Sequence, residues 1–297
     1  TTDLVLTCGE YDFTEVDIPS GVTVTTTGSD PMIIRSQGDV VVDGTIELTA
    51  GTCGEDTSRA GGSVGAPYTA AISCGSSAVS GGGGGCGTAG TAGSSGISTY
   101  AGSGGPTGWA MSAGTMTGGA AGGSTFCTSG GTTYSRPGGG GGGALSLLGA
   151  SITISGTVSA NGGAGQGGIS AHSVLCGVMS GGGSGGQVWL RSPSVSLSGS
   201  VQADGGTGQS GTSWCGGQNL SAYASGDGGD GYIRIDSDSY TLTGTASPTP
   251  LESSWTDSGS SSISAVVSVS VDSTGTVTVT NESSSTQVVR LIATYAS

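Results

Sequence analysis

The chain has 297 residues, of which 64 are glycine, about three times the usual share. Six arginines and no lysine stand against 20 acids, for a net charge of -14, so nothing can neutralise a phosphate backbone and nucleic acid is excluded as a partner. No apolar run has the roughly 18–20 residues of a membrane-spanning helix, and residues 60–135 hold no Asp, Glu, Lys or Arg, which favours packing over solvated disorder.

Residues 4–27, with Val16, Ile18, Val22 and Val24 at alternate positions, read as the entering turn of a repeat. Four copies of that repeat follow, at residues 32–51, 144–163, 187–206 and 232–246. The second and third match without a gap at an offset of 43, and the fourth begins 45 residues after the third. Every copy has the same step to a central glycine: Met32 to Gly44, Ala144 to Gly156, Gln187 to Gly199 and Tyr232 to Gly244. Within a copy apolar residues alternate with polar ones, as in Ile152, Ile154, Val158 and Ala160, the period of short strands with a bend at the glycine. Units that cannot bury their apolar face alone, repeated along a chain, predict an all-β parallel solenoid over residues 1–250.

Insertions separate the copies: a large one at residues 52–143 and shorter ones at 164–186 and 207–231. Each returns through a glycine run at an equivalent place, residues 138–143, 181–186 and 226–231. Glycine can form a polyproline-II helix that exposes backbone donors and acceptors sideways, so these runs are expected to pack against one another rather than act as linkers. Seven cysteines (Cys8, Cys53, Cys74, Cys86, Cys127, Cys176 and Cys215) include no CxxC pair, which removes zinc-ribbon and redox motifs and favours disulfides that staple loops in an oxidising compartment. Cys176 and Cys215, in adjacent insertions, are expected to pair; the partners of the other five stay open, and the odd seventh thiol is free or links two chains. The opening Thr1-Thr2-Asp3 reads as the mature form of a secreted product. After Pro248 and Pro250 glycine falls away, and residues 262–271, 275–280 and 287–295 read as strands of a small β-module over residues 251–297. It is expected to cap the solenoid or borrow a strand from a neighbouring chain.

The run Ile152-Thr-Ile-Ser-Gly-Thr-Val-Ser-Ala-Asn-Gly-Gly, the return through Gly228-Gly-Asp-Gly-Tyr-Ile-Arg-Ile, and the opening Ile18-Pro-Ser-Gly-Val-Thr-Val together resemble the Gly-rich right-handed parallel β-helix regions of secreted bacterial surface and adhesin-like proteins. The resemblance covers residues 1–246. In composition, residues 52–143 are also similar to the polyglycine layers of certain antifreeze proteins and phage tail-tip adhesins. Such families imply structural or adhesive roles outside the cell, at its surface.

The chemistry-bearing residues are few. His172 is the only histidine and has no acid beside it in sequence, so no triad is legible and the chain reads as non-enzymatic. Asp227, Asp230, Asp236 and Asp238 with Arg234 form the densest charged cluster, and alternation puts Arg234, Asp236 and Asp238 on one face, either a site or a solvated strand face. Asp227 and Asp230 offer hard oxygens on a glycine turn, and calcium is the one ion considered for them; no other cofactor is implied. Threonine rows such as Thr23, Thr25 and Thr27 form a candidate ice-binding ladder, and Asn219 and Asn281 begin glycosylation sequons. Uncharged layers and open sheet edges favour self-association, with residues 3–7 and 287–295 as expected contacts between copies. The expected function is a subunit of an extracellular filament. The alternative is an adhesin or phage tail-tip protein that binds cell-surface glycans through Tyr68, Tyr100, Trp109, Tyr134 and Trp214.

Overall fold

The computed structural model describes residues 3–48, 50–53, 79–80, 83–94, 116–129, 132–167, 178–215, 218–255, 267–271 and 277–281. Among them there is no helix, and so none long and apolar enough to cross a membrane. The chain opens with β1 (Asp3–Thr7), β2 (Glu10–Phe13), β3 (Val16–Ile18) and β4 (Thr23–Thr27), followed by β5 (Met32–Ser36), β6 (Val40–Val42) and β7 (Thr45–Glu47). The first insertion holds β8 (Val79–Ser80), β9 (Thr125–Ser129) and β10 (Thr132–Arg136), and the next repeat β11 (Ala144–Leu148), β12 (Ile152–Ile154) and β13 (Thr157–Ser159). Then come β14 (Val178–Met179), β15 (Gln187–Arg191), β16 (Ser194–Leu197), β17 (Ser200–Gln202), β18 (Ser210–Cys215) and β19 (Gln218–Ala224). The last strands are β20 (Tyr232–Asp236), β21 (Ser239–Leu242), β22 (Thr245–Ser247), β23 (Leu251–Ser253), β24 (Val267–Val271) and β25 (Val277–Asn281).

The fold is an all-β parallel solenoid with three strands per rung. Sheet 1 stacks β2, β5, β11, β15, β20 and β23; sheet 2 stacks β3, β6, β12, β16 and β21; sheet 3 stacks β1, β4, β7, β13, β17 and β22. Equivalent residues of successive copies are cross-strand partners, as the sequence offset requires: Ile152 pairs with Val195, and Val158 with Val201. The alternate apolar residues therefore form inward columns. Met32, Leu145, Val188 and Ile233 line sheet 1; Val42, Ile154 and Leu197 line sheet 2; Val24, Ile46, Val158 and Val201 line sheet 3; all are buried. Full burial of each such side chain contributes about 1.5–3 kcal/mol.

The central glycines form a column of their own, at the turn between sheets 2 and 3. A Cβ on Gly156 would sit on the carbonyl oxygen of Gly44, one on Gly199 on that of Gly156, and one on Gly244 on that of Gly199. Close approach of one rung to the next, rather than an unusual dihedral, makes glycine obligatory there. Each of these turns is tied to the rung below, as by Gly199 N–H donating to Ile154 O at 2.9 Å.

All three insertions leave from sheet 3 and return to sheet 1, so their glycine runs meet beside one corner of the solenoid. Residues 180–186 are the axis of that bundle. The N–H groups of Ser180, Gly183 and Gly186 donate to Gln166, Gly163 and Ala160; those of Gly181 and Ser184 to Gly123 and Ala120; those of Gly182 and Gly185 to Gly226 and Gly229. The carbonyls of Gly181 and Ser184 accept from Gly139 and Gly142, that of Gly183 from Gly206, and that of Gly182 from Gly84. Six runs thus surround one, at 2.7–3.0 Å, and the choice of neighbour repeats every third residue. Three residues per turn is the period of polyproline II, and the described glycine runs repeat their neighbours with it. Residues 138–143 are part of this packing and not a linker.

Of the cysteines, Cys8 and Cys53 form a disulfide across a sequence separation of 45. It ties the end of β1 to the start of the first insertion, where Cys53 has a φ of 53° and donates its N–H to Gly28 O at 2.9 Å. Cys86 is buried. Cys74 and Cys176 lie outside the described residues, so the expected Cys176–Cys215 pair falls there too.

Residues 251–253 continue sheet 1 as β23, Leu251 pairing with Arg234, three residues beyond the expected boundary at 250. In the C-terminal module β24 and β25 form an antiparallel hairpin, and β24 joins sheet 1 beside β2 through Phe13 and Val267. Residues 287–295 lie outside the described residues.

Candidate functional site

Sheet 1 carries the charged cluster on its outer face. In-register stacking sets Trp189 between Ser146 and Arg234, and Arg191 between Leu148 and Asp236. The Arg191 and Arg234 guanidinium carbons lie 4.5 and 5.0 Å from the Trp189 ring centroid, cation–π contacts on a side chain only 6% exposed. Asp236 closes the group: Oδ2 accepts from Trp189 Nε1 at 2.9 Å, and Oδ1 from Arg234 Nε at 2.7 Å and from Ser253 Oγ. With both oxygens engaged, the carboxylate acts as a clamp between the last rungs. Asp238 is not on this face; it is exposed in the turn after β20, where its N–H donates to Pro193 O. Replacing Asp236 by alanine removes the acceptor of the Trp189 N–H and of Arg234 Nε, and is expected to lower stability by about 2 kcal/mol. A urea titration that leaves the midpoint unmoved would remove the clamp from the account.

At the other end of the face, Arg35 reaches Glu10 at 2.7 Å and Asp12 at 3.3 Å. Burial lowers the Arg35 pKa, but the bonds and charges of Glu10 and Asp12 outweigh it and the net shift is upward. Tyr240, in the last rung of sheet 2, is raised above its ordinary value by burial and then by Glu252.

Asp227 and Asp230 fasten the glycine bundle. Asp227 Oδ1 accepts the N–H of Gly208 at 2.7 Å and Asp230 Oδ1 that of Gly205 at 3.1 Å. On their other side the two backbone N–H groups donate to Thr91 Oγ1 and Thr88 Oγ1, both at 2.7 Å. Among the described residues no three His, Cys, Asp or Glu converge as metal ligands. Thr23 lies in a cross-strand column with Thr45, Thr157, Ser200 and Thr245 on sheet 3. Asn219 is in β19 and Asn281 ends β25; His172, Tyr68, Tyr100 and Trp109 lie outside the described residues.

Hydrogen-bond directions also locate the far ends of the insertions. Residues 160–166 run antiparallel to 180–186, which in turn run parallel to 138–143 and 225–231. The outward runs 116–124, 160–166 and 203–209 therefore all lead to the same side, about 20 Å from the solenoid at 3.1 Å per residue. Three paired elements stand there: the β8–β14 ladder, the β9–β10 hairpin, which contains Tyr134, and the β18–β19 hairpin, which contains Trp214. Serine hydroxyls close the runs just below, Ser180 Oγ accepting from Gln166 N and Ser225 Oγ from Gln209 N, both at 2.7 Å. The surfaces with functional potential among the described residues are thus this platform and the two ends of the solenoid.

Comparison with known protein families, characterised proteins and solved structures gives no match. Trp189 and Arg191 are the site residues that sequence reasoning missed, although the signal was present: equivalent positions of successive repeats are neighbours, so the 45-residue offset already sets Trp189 beside Arg234 and Arg191 beside Asp236.

Proposed function

We propose that the chain is a subunit of an extracellular filament or fibre built by head-to-tail addition of solenoids. The supporting observation is that a parallel stack has two different ends and that, among the described residues, sheets 2 and 3 finish in strands with a free edge at both. β3 and β1 end sheets 2 and 3 on one side, and β21, β22 and β23 end the sheets on the other. Leu242, in the inward column of Leu197 and Ile154, is 41% exposed at the end of that column, with no further rung among the described residues. A second copy, or a strand that it donates, extends such edges in the same direction, a heterologous contact that propagates without closing. The Cys8–Cys53 disulfide suits an oxidising, extracellular setting.

Electron microscopy of the purified protein tests the reading: regular filaments are expected, and dispersed particles at all concentrations would sink it. Exposed acids stand at both ends, Glu15 and Asp17 at one and Asp238 and Glu252 at the other. Elongation is therefore expected to accelerate between about 0.01 M and 0.15 M salt, as the Debye length falls from about 30 to about 8 Å. A light-scattering rate that does not change would argue against end-to-end contact.

The second reading is an adhesin, supported by the gathering of strands from the three insertions on one side of the glycine bundle, with Tyr134 and Trp214 in its hairpins. Dispersed particles that bind a glycan array or whole cells, and lose binding when residues 211–223 are replaced, are its expected outcome.

A further inference from the structure

Sheet 1 places the C-terminal hairpin at the far end of the stack from the strand that precedes it. β23 lies beside β20 and β24 beside β2, so six strand spacings, about 29 Å, separate two strands that are adjacent in the described chain. The connection, residues 254–266, can reach about 45 Å when fully extended, so about 29 Å takes up well over half of its reach. Docking of the hairpin is also slight. One pair, Phe13 with Val267, joins β24 to β2, whereas five pairs join β24 to β25. The edge of β23, for its part, is protected against plain stacking: Glu252 takes the register position of the core residue Ile235, and Pro248 and Pro250 lead into the strand.

We infer that the β24–β25 hairpin is exchanged between copies, leaving β2 of its own chain and pairing with β2 of the copy stacked on its C-terminal end. The inference rests on the filament reading above. In that arrangement the neighbour's β2 faces the β23 end, and with the hairpin between them the distance from β23 to β24 falls to two spacings, about 10 Å. A link of this length that spans about 10 Å instead of about 29 Å loses less conformational entropy. The pair made between copies is the pair made within one, Phe13 with Val267, so exchange sacrifices no contact. Until assembly the hairpin shields the β2 edge; on assembly the same element becomes the connector.

Two full-length variants, Phe13→Cys and Val267→Cys, mixed under assembly conditions and oxidised, test the exchange. The expected result on a non-reducing gel is a linked dimer containing one chain of each kind, beyond any bands given by the unsubstituted protein or by either variant alone. A double variant that closes only on itself, a mixture without mixed dimers, and filaments still visible by electron microscopy would overturn the exchange and leave the filament reading intact. Absence of filaments as well would remove both. A second variant keeps Phe13 in place: deleting seven residues from 254–266 leaves a connection too short for about 29 Å but ample for about 10 Å. Size-exclusion chromatography with light scattering is expected to show this shortened chain as dimers and larger species, and a purely monomeric one would overturn the exchange.

Discussion

Gly183→Ala is expected to cost at least about 3 kcal/mol and, in a chain of ordinary stability, to abolish cooperative folding. Gly183 lies on the axial run of the bundle with no unusual dihedral, so alanine could adopt its backbone; the obstacle is space alone. An ideal Cβ there comes within 2.5 Å of the carbonyl carbon of Gly140 and 2.7 Å of Gly139 O, where real Cβ atoms do not come within 3.0 Å. Backbone is the obstruction, so no rotamer relieves it and residues 138–143 must move away. That breaks the bonds from Gly139 N–H to Gly181 O and from Gly142 N–H to Ser184 O, and each buried donor left unpaired costs about 1–3 kcal/mol. Gly140, whose Cβ would lie 2.8 Å from Gly51 N, is expected to behave similarly. The control is Gly167→Ala, where the nearest atoms belong to the Gln209 side chain at 3.2 Å and the change should stay within about 0.5 kcal/mol. Guanidinium titrations that give Gly183→Ala and Gly167→Ala the same midpoint would dismiss the close-packed bundle.

Replacing both Cys8 and Cys53 by serine is expected to lower stability by about 4 kcal/mol, the loop-closure value for a link of this length. The link closes a loop over a sequence separation of 45, which contains β2 to β7, two complete rungs. Both cysteines are buried against core residues, so the serine hydroxyls add desolvation to the lost constraint. Sheet 3 should open first, because β1 is its last strand on that side and has only β4 beside it. Hydrogen exchange is expected to show lost protection at residues 3–7 before the rest of sheet 3; a uniform loss would place the disulfide's contribution elsewhere.

The two effects differ in how far the sequence foretold them. The glycine runs were legible because they recur at the same place in the repeat, and a recurrence of that kind has a structural cause. Which run is the axis was not legible: residues 138–143 and 180–186 look alike in sequence, yet only the second is hydrogen-bonded by six others. The Cys8–Cys53 pair was one of several open pairings, since the spacing of cysteines along a chain does not say which ends fold together. The Arg234–Asp236 pair was legible from alternation within one strand. Its partners Trp189, Arg191 and Ser253 are 43 residues or more away from Arg234, or lie on the next rung, and stacking brought them in.

Local pattern and repetition alone determined the strand period, the glycine at each turn between sheets 2 and 3, the in-register stacking of four copies and the place where each insertion leaves. All of these follow from alternation and from identical spacing, and identical units stacked in parallel bring like residues together. The tertiary structure decided what depends on contacts between segments that do not resemble one another. It set the axis of the polyglycine bundle, the meeting of three insertions at one platform and the return of the C-terminal hairpin to β2. Backbone hydrogen bonds between glycines carry no side-chain code, so geometry in three dimensions, and not residue identity, chooses among equivalent partners.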